Sequence, residues 1–348
     1  MKRIAFLLII ITLFVSCDRS EKSGFEKHFT DKTLRINLIH TGDSASESFK
    51  LEKVYDDGLW YGRTKNMVNP YRLGAYVYEL RDVETDELLY SDGISTMFSE
   101  WRRTAAASKG KMSFNESIRV PFPNRSAKLM MYKIDTLDVM EPVWEYVIDR
   151  KTRSLMEPAK NNNNRVIRLL DSGDPKEKVD ILILGDGYTA KEIKRFDADV
   201  LRFYNGLINT EPFMSRKSDF NVHAIQVPPY DNGNRLGTKY GTFGHDRYAL
   251  ASDDWVIRDF AAQAPYDYII ILMNDDKNGG GSLYNLYTTA AIRSQSDDYM
   301  IRHEFGHQIV GVGDKYYSEK NNNDTTGVST YYYDFNELLN EILDLHTR

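Results

Sequence analysis

Residues 302–316 read RHEFGHQIVGVGDKY, a stretch that contains two histidines four positions apart. Side chains four positions apart on an α-helix project from one face, so His303 and His307 can hold one tetrahedral metal ion between their imidazoles. Glu304 lies beside them, where a carboxylate can take a proton from a metal-activated water and pass it to a leaving amine. The spacing predicts one Zn²⁺ per chain, with Glu304 as general base. The alternative is an accidental histidine pair on an amphipathic helix.

A third protein ligand is expected shortly after this helix. In the metzincin pattern a glycine and then the third ligand follow the second histidine by three and six residues. Here Gly311 follows His307 by four residues and Asp314 by seven. Glycine tolerates the positive φ with which a chain leaves a helix and turns back, so Asp314 is predicted to be the third ligand. The alternatives are a solvated loop acid, or a carboxylate that hydrogen-bonds to a ligand histidine without touching the metal.

The composition limits the class of protein. The chain has 348 residues, of which 41% are hydrophobic and 28% charged, which is enough for two domains that each bury a core. The formal net charge is −6 and charges of both signs are interspersed along the chain. This charge pattern gives no reason to expect nucleic acid as a partner.

The N-terminus has the pattern of an export signal. Lys2 and Arg3 precede an apolar run over residues 4–15, which is too short to span a bilayer comfortably. Cys17 follows this run and is the only cysteine in the chain, as in a bacterial lipoprotein signal. Residues 1–17 are therefore predicted to be a lipoprotein signal peptide and lipobox, with Cys17 as the lipidation site. The alternative is ordinary signal cleavage with an incidental cysteine.

The residues after the signal divide into a tether, a β-rich domain and a linker. Polar residues 18–31 would tether the folded protein to lipid in the cell envelope, at the outer membrane or the cell surface of a bacterium. Residues 32–150 read as short strands separated by turns, and about seven strands in this length predict an all-β sandwich. Its aromatic residues are interpreted as core rather than as a ligand platform. Residues 151–165 are polar and lack periodicity, which indicates a linker.

Residues 166–348 have the pattern of an α/β domain. Residues 179–184 and 266–273 are nearly continuous apolar runs, as in strands that are covered on both faces. Between these two strands, Thr189 and Glu192 have the spacing of a capping box at the start of an amphipathic helix. Strands that alternate with helices predict a sheet with helices packed on it.

The strand directly before the histidine helix is the candidate for substrate binding. A peptidase of this architecture usually has an edge strand beside the metal cleft that pairs with the extended backbone of a substrate. Residues 286–292, which follow the glycine-rich residues 278–282, are that strand in our interpretation. The alternative is an ordinary internal strand after a glycine-rich hairpin. The predicted substrate-binding residues are Leu286, Tyr287, Thr288, Thr289 and Ala290.

Further motifs occur in order along the chain. In the second part they are ILGDGYT at 183–189, GTFG at 241–244, APYD at 264–267 and HEFGH at 303–307, with Asp314 after it. In the first part they are TLRI at 33–36, STMF at 95–98 and VPFP at 120–123. The second series resembles the IgA peptidase family of bacterial zinc metallopeptidases, and the first resembles the β-rich N-terminal domain that accompanies it.

This resemblance implies a zincin-like catalytic domain with His303, His307 and Asp314 as zinc ligands and Glu304 as general base. The chain departs from the family pattern in two places. The family usually has Asp-Glu-Tyr after the zinc helix, where this chain has a lysine at position 315. The family also usually continues further, whereas here a predicted amphipathic helix over residues 335–345 lies close to the last residue.

The sequence therefore predicts a zinc-dependent peptidase that acts on extracellular proteins or peptides and is attached to a membrane by its lipid. No methionine follows Met300, so a metzincin-type Met-turn is excluded. The tyrosines at 316, 317 and 331–333 are candidates to donate a hydrogen bond to an oxyanion. The alternative function is a surface lipoprotein whose sandwich binds a glycan or host protein, with a shortened zincin domain of little activity. The short C-terminus favours that alternative, and Glu304 favours the enzyme because structural zinc does not need it.

Overall fold

The structure, a computed structural model, describes residues 24–135, 138–158, 163–229, 234–293, 297–311 and 335–347. The predicted signal segment with Cys17 lies outside the described residues, as do Asp314 and the tyrosines at 316, 317 and 331–333. The described chain is rich in β-structure and forms two regions built around several sheets.

The first region consists of two four-stranded sheets. Its strands are β1 (Phe29–Gly42), β2 (Glu47–Asp56), β3 (Tyr76–Asp82), β4 (Leu88–Ile94), β5 (Met112–Pro123), β6 (Ala127–Ile134), β7 (Met140–Ile148) and β8 (Glu157–Pro158). One sheet has the order β5-β1-β2-β8 and the other β4-β3-β6-β7. The short helices of this region are α1 (Gly24–His28), α2 (Met97–Trp101) and α3 (Arg150–Leu155).

Strand β1 shows how the first region packs against the second. Leu34, Ile36 and Leu38 belong to the apolar core that the two sheets share. The fully buried Arg35 instead binds Asp259 of the second region, with Nη2 donating to Oδ1 at 2.8 Å. Successive side chains of a strand lie on opposite faces, so β1 contributes to the core with one face and to the contact between the regions with the other.

The boundaries predicted for the tether and the linker were too wide. Residues 24–31 lie in α1 and β1, and the rings of Phe25 and Phe29 pack 5.4 Å apart in the core. These two aromatic side chains make an otherwise polar stretch part of the fold, because burying each removes a large apolar area from water. Within the predicted linker, α3 is capped by Asp149 and β8 pairs with β2. Residues 159–162 lie outside the described residues.

The second region is built on one six-stranded sheet. Its strands are β9 (Val166–Leu170), β10 (Val179–Asp186), β11 (Phe220–Gln226), β14 (Tyr268–Met273), β15 (Gly280–Leu283) and β16 (Tyr287–Ala291), and a separate two-stranded ribbon contains β12 (Lys239–Tyr240) and β13 (Ala249–Leu250). The sheet has the order β15-β16-β14-β10-β11-β9. The four strands from β16 to β11 are parallel, and the outer strands β15 and β9 are antiparallel to their neighbours.

Helices cover both faces of this sheet. The helices are α4 (Ile193–Ile208), α5 (Asp254–Ala261), α6 (Asp297–Val310) and α7 (Phe335–Thr347). In β10, Ile181 and Ile183 pack with α4, α6 and α7. The alternate residues Leu182 and Leu184 pack with α5 and with the core of the first region. Every residue of β10 is consequently buried, as its nearly continuous apolar sequence predicts.

Helix α7 lies where the two regions meet. Its buried leucine and isoleucine side chains join the same core as α6. The hydroxyl of Tyr71 in the first region donates to Glu341, and Arg216 of the second region contacts Asp344 at 2.8 Å. No helix in the described ranges is long and apolar enough to cross a membrane.

Candidate metal centre

Helix α6 carries the HEFGH motif and is fixed to the sheet by one buried hydrogen-bond network. The hydroxyl of Thr288 in β16 donates to the side-chain oxygen of Gln308 at 2.9 Å and lies 3.3 Å from the carbonyl oxygen of Glu304. Gln308 and Thr288 are fully buried. On another side of the helix, Phe305 packs between the rings of Phe213 and Tyr268. These contacts set the rotation of α6 and so the direction in which its histidines project.

His303 and His307 converge through their Nε2 atoms, which lie 3.1 Å apart. Their rings are nearly perpendicular, at 84°, and both residues are partly exposed. Two nitrogen ligands about 2.0–2.1 Å from one tetrahedral ion would be about 3.3 Å apart. The observed separation is close to that value, so the pair fits two ligands of one zinc ion.

The helix ends as the sequence predicts, at a glycine turn. Gly311 has a φ of +62° and donates its backbone N–H to the carbonyl oxygen of His307 at 3.0 Å. A Cβ at this position would lie 3.0 Å from Cδ2 of Tyr284, so the close contact and the backbone angle both favour glycine. Across the ranges that the structure describes, no group of three or more His, Cys, Asp or Glu side chains could hold a metal ion. The predicted third ligand, Asp314, lies outside those ranges.

The prediction that residues 286–292 form an edge strand is wrong. Strand β16 pairs with β14 on one side and with β15 on the other, so its backbone groups are already used by the sheet. Leu286, Tyr287, Thr288, Thr289 and Ala290 are all buried. The glycine-rich residues before β16 form the outer strand β15 of a hairpin, which is the alternative that the sequence left open. The hydroxyl of Thr288 is buried against α6.

The first region holds the turn between β15 and β16 in place. Asn285 donates its backbone N–H to the carbonyl of Gln308 at 3.0 Å and its side-chain amide to the carbonyl of Gly93 at 2.8 Å. In the same turn, the carbonyl of Tyr284 accepts from the backbone N–H of Ser95 at 3.0 Å. The C-terminal end of α6 is therefore attached through one turn to strand β4 and the residues that follow it.

Tyr248 is a residue near the site that sequence reasoning missed. Its ring packs on β15, since a Cβ added to Gly281 would lie 2.5 Å from Cε2 of Tyr248. Burial, followed by the negative charges of Glu100 and Glu304, raises the pKa of the Tyr248 hydroxyl well above its usual value. Glu100 comes from α2 in the first region, so both regions contribute charge here. Glu100, Tyr248 and Glu304 are too far apart in the sequence for any local spacing to connect them. The residues around Tyr248 also contain no motif that indicates a functional site.

Two family models match the chain. A model described as Peptidase M64 N-terminus matches residues 24–145, and one described as IgA Peptidase M64 matches residues 167–327. The second match includes α6 and Asp314. A search among curated proteins finds no significant match. The two matches indicate a peptidase that is preceded by a β-rich region. The chain belongs to the IgA peptidase M64 family, whose members are generally metallopeptidases.

Proposed function

We propose that this protein is a zinc-dependent peptidase with a zincin-like catalytic region. The observation that carries the proposal is the approach of the two Nε2 atoms of His303 and His307 to 3.1 Å on consecutive turns of α6. A histidine pair with this separation matches the geometry of tetrahedral zinc. Glu304 lies between the two ligands in sequence, as in peptidases of the HExxH type.

The residues of the site have separate roles. His303, His307 and Asp314 would hold the ion, and a zinc ion bound there would supply a Lewis acid for the substrate carbonyl and for a water molecule. Glu304 accepts the proton of the attacking water and delivers it to the leaving amine. Asp314, which lies outside the described residues, is the proposed third ligand.

Tyr248 is the residue we assign to oxyanion stabilisation. Burial and then the charges of Glu100 and Glu304 raise the pKa of its hydroxyl, which places the phenol near Glu304, and a tyrosine hydroxyl is a hydrogen-bond donor at neutral pH. A donor aimed at a developing oxyanion contributes about 10²–10³-fold to kcat. Tyr248→Phe should therefore lower kcat by about that factor with zinc content unchanged. A variant with wild-type kcat would remove Tyr248 from the mechanism.

Helix α7 supports the enzyme over a zinc-binding module of little activity. The short C-terminus was the sequence feature that favoured the second function. In the structure, Leu339 and Leu343 of α7 are fully buried in one core with Phe305 and Ile309 of α6. The apolar side of α6 is thus packed by residues of this chain.

The decisive experiment compares wild type with Glu304→Gln. Both proteins are loaded with zinc, dialysed and incubated with a diverse peptide library, and cleavage is mapped by mass spectrometry. The glutamine keeps the size of the side chain but cannot accept a proton. It should keep near-stoichiometric zinc and lose turnover by about 10²-fold or more. Equal cleavage by the two proteins would reject the peptidase proposal.

The location outside the cell is a separate proposal that rests on Cys17. Lipidation of this residue would attach the protein to the cell envelope and bring the site to extracellular proteins. Wild type should label with a palmitate analogue and partition into detergent, whereas Cys17→Ser should do neither. Wild-type protein that remains soluble and begins after Cys17 would contradict lipidation without affecting the peptidase proposal.

A further inference from the structure

Two buried carboxyl groups lie side by side where the two regions meet. The backbone N–H of Asp267 donates to the carbonyl oxygen of Asp180 at 2.8 Å, and the backbone N–H of Asp180 donates to Oδ2 of Asp267 at 2.8 Å. Asp180 is fully buried in β10, and the side chain of Asp267, directly before β14, is 7% exposed. Two carboxylates this close and this poorly hydrated repel each other, so one of them is expected to keep its proton.

Asp267 has surroundings that suit a carboxylate. It lines a polar cavity of about 70 Å³ between the two regions, together with Arg63 and Arg119. Burial raises the pKa of Asp267, but the backbone N–H of Asp180 opposes this rise. The charges of Arg119 and Arg63 oppose it as well, and the charge of Asp92 adds to it. Of the pair, Asp267 is therefore the carboxyl group that faces cations and can carry a negative charge.

Asp180 has the opposite surroundings. Its Oδ1 accepts from the side-chain amide of Asn221 at 3.0 Å, whereas its Oδ2 is buried without a hydrogen-bond partner in the described part of the chain. Burial, followed by the charge of Asp267, raises the pKa of Asp180. Asn221 opposes this rise, and the charges of Asp174 and Asp171 add to it. A buried carboxylate with one hydrogen bond and acidic neighbours is costly, and the un-ionised acid avoids that cost.

Two further groups near Asp180 do not neutralise a charge on it. Lys176, in the single turn Pro175–Glu177, is already paired with Asp31 at 2.8 Å. Tyr61 of the first region carries no charge at neutral pH, because burial and then the charges of Asp180 and Asp31 raise the pKa of its hydroxyl. Ionisation of Asp180 would therefore place a second negative charge directly beside Asp267.

Helix α7 binds both regions next to this pair. Nδ1 of His346 lies 3.6 Å from Oδ1 of Asp267. Burial and the charge of Arg63 lower the pKa of His346 to about 3, so its imidazole is neutral and cannot balance a second charge. Tyr71 of the first region donates its hydroxyl to Glu341 of the same helix. A displacement of Asp267 would consequently disturb α7 together with the contact between the regions.

We propose that Asp180 is un-ionised at neutral pH and acts as a proton-dependent switch for the contact between the two regions. With the proton present, the pair carries one negative charge, which faces Arg63 and Arg119. When the proton leaves, Asp180 and Asp267 repel each other, and both the contact between the regions and the docking of α7 weaken. This switch does not depend on the proposed peptidase activity.

The direction of the pH dependence follows from the burial of Asp180. Folding raises its pKa above the ordinary value of 3.8, so the stability contributed by the un-ionised group is complete below 3.8 and is lost as pH rises through the raised pKa. Opening of the contact exposes Asp180 to water, where it releases its proton. Each opening event thus releases one proton, so opening should become up to about tenfold more frequent for each pH unit.

The first test is amide hydrogen exchange of zinc-free wild type and Asp180→Asn between about pH 6 and about pH 8, corrected for the intrinsic rates. The asparagine keeps the size of the side chain and has no charge. Protection of α7 relative to α4 should fall by up to about tenfold per pH unit in wild type and stay constant in Asp180→Asn. Asp171→Asn, at an exposed neighbour of Asp180, should behave as wild type. The same pH dependence in wild type and Asp180→Asn, or a parallel loss of protection in α7 and α4, would overturn the proposal.

The second test needs only wild type, so it keeps the proposal falsifiable if Asp180→Asn does not fold. Infrared spectra are recorded on protein labelled with ¹³C-aspartate, because an un-ionised carboxyl group absorbs at a higher frequency than a carboxylate. Exposed aspartates are ionised at pH 7, so a band of un-ionised aspartic acid at this pH reports a buried group. Such a band is expected, and it should shrink at alkaline pH and be weaker in Asp180→Asn. Its absence from wild type at pH 7, or an undiminished band in Asp180→Asn, would contradict the switch.

Discussion

His40 in the first region and the His303–His307 pair in the second place histidine in opposite surroundings. His40 is fully buried, with Nδ1 2.7 Å from Glu116 and Nε2 3.1 Å from Glu47. Its ring lies 3.8 Å from the rings of both Phe49 and Phe98. The pair on α6 is partly exposed, and its nitrogen atoms converge on each other.

This difference in surroundings distinguishes a histidine that stabilises the fold from a histidine that can bind a metal ion. Both nitrogens of His40 are used by carboxylates, so no lone pair remains for a metal and the ring is held as a cation. Burial alone would lower the pKa of His40, but Glu116 and Glu47 reverse this and raise it. On α6 the Nε2 atoms of the two histidines lie 3.1 Å apart, which suits a shared cation. Burial and the partners of each nitrogen thus distinguish the two roles.

The largest effect is expected at the ligand pair. His303→Ala should lose stoichiometric zinc and activity together, because two remaining ligands cannot hold the ion tightly. His40→Gln should keep one zinc per folded chain. Metal content after dialysis, measured by mass spectrometry, tests both variants. Retention of one zinc by His303→Ala would show that the pair is not the metal site.

The second-largest effect is expected on the free energy of unfolding, when His40 is replaced. His40→Gln should lower the free energy of unfolding by about 3–5 kcal/mol, because it leaves the buried carboxylate of Glu116 without its cation and removes one of the partners of Glu47. The control is His245→Gln, at an exposed histidine, which should change stability by less than about 0.5 kcal/mol. Urea unfolding of the zinc-free proteins measures both. Equal stability of the two variants would mean that the contacts of His40 with Glu47 and Glu116 make no net contribution to the free energy of unfolding.

A smaller effect is expected at the contact between α6 and the sheet. Thr288→Val removes the hydrogen bond to Gln308 and should cost about 1–3 kcal/mol. Thr288→Ser, which keeps the hydroxyl, should cost less. KM for a cleaved peptide should stay unchanged in the folded variants, since the buried hydroxyl does not reach substrate. A large rise in KM with normal stability would restore β16 as a substrate-binding strand.

The smallest effect is expected in how the contribution of His40 to the stability of the fold depends on pH. Because folding raises the pKa of His40, its stabilisation is complete below the usual value of 6.5 and is lost as pH rises through the raised pKa. Burial opposes ionisation of Glu47, but hydrogen bonds from His40, Tyr76 and Arg102 bring its pKa down to about 2. The contribution of Glu47 is therefore present above 4.5 and is lost as pH falls towards 2. The stability difference between wild type and His40→Gln should be greatest between these limits, at pH 4.5–6.5. A stability difference between wild type and His40→Gln that grows above pH 8 would contradict the expected direction of this pH dependence.

The sequence predicted the features that depend on neighbouring residues. The HEFGH helix, the turn at Gly311 and the buried strand β10 follow from spacing, glycine chemistry and a continuous apolar run. The position of β16 inside the sheet could not be predicted, because strand order depends on pairing between distant segments. The contribution of Tyr248 depends on the same long-range packing. The tether boundary failed for another reason, since two phenylalanines outweigh a polar composition around them.

Helix α7 also has a consequence for the order of events during synthesis. Residues 335–347 follow α6 in the chain, and their buried side chains complete the core on which Phe305 and Ile309 pack. A chain that has emerged only as far as residue 311 carries both histidines but not the helix that covers their apolar side. The core beside the HEFGH helix is therefore complete only once residues 335–347 have been made, although the contacts of α6 with the sheet use segments that come earlier in the chain.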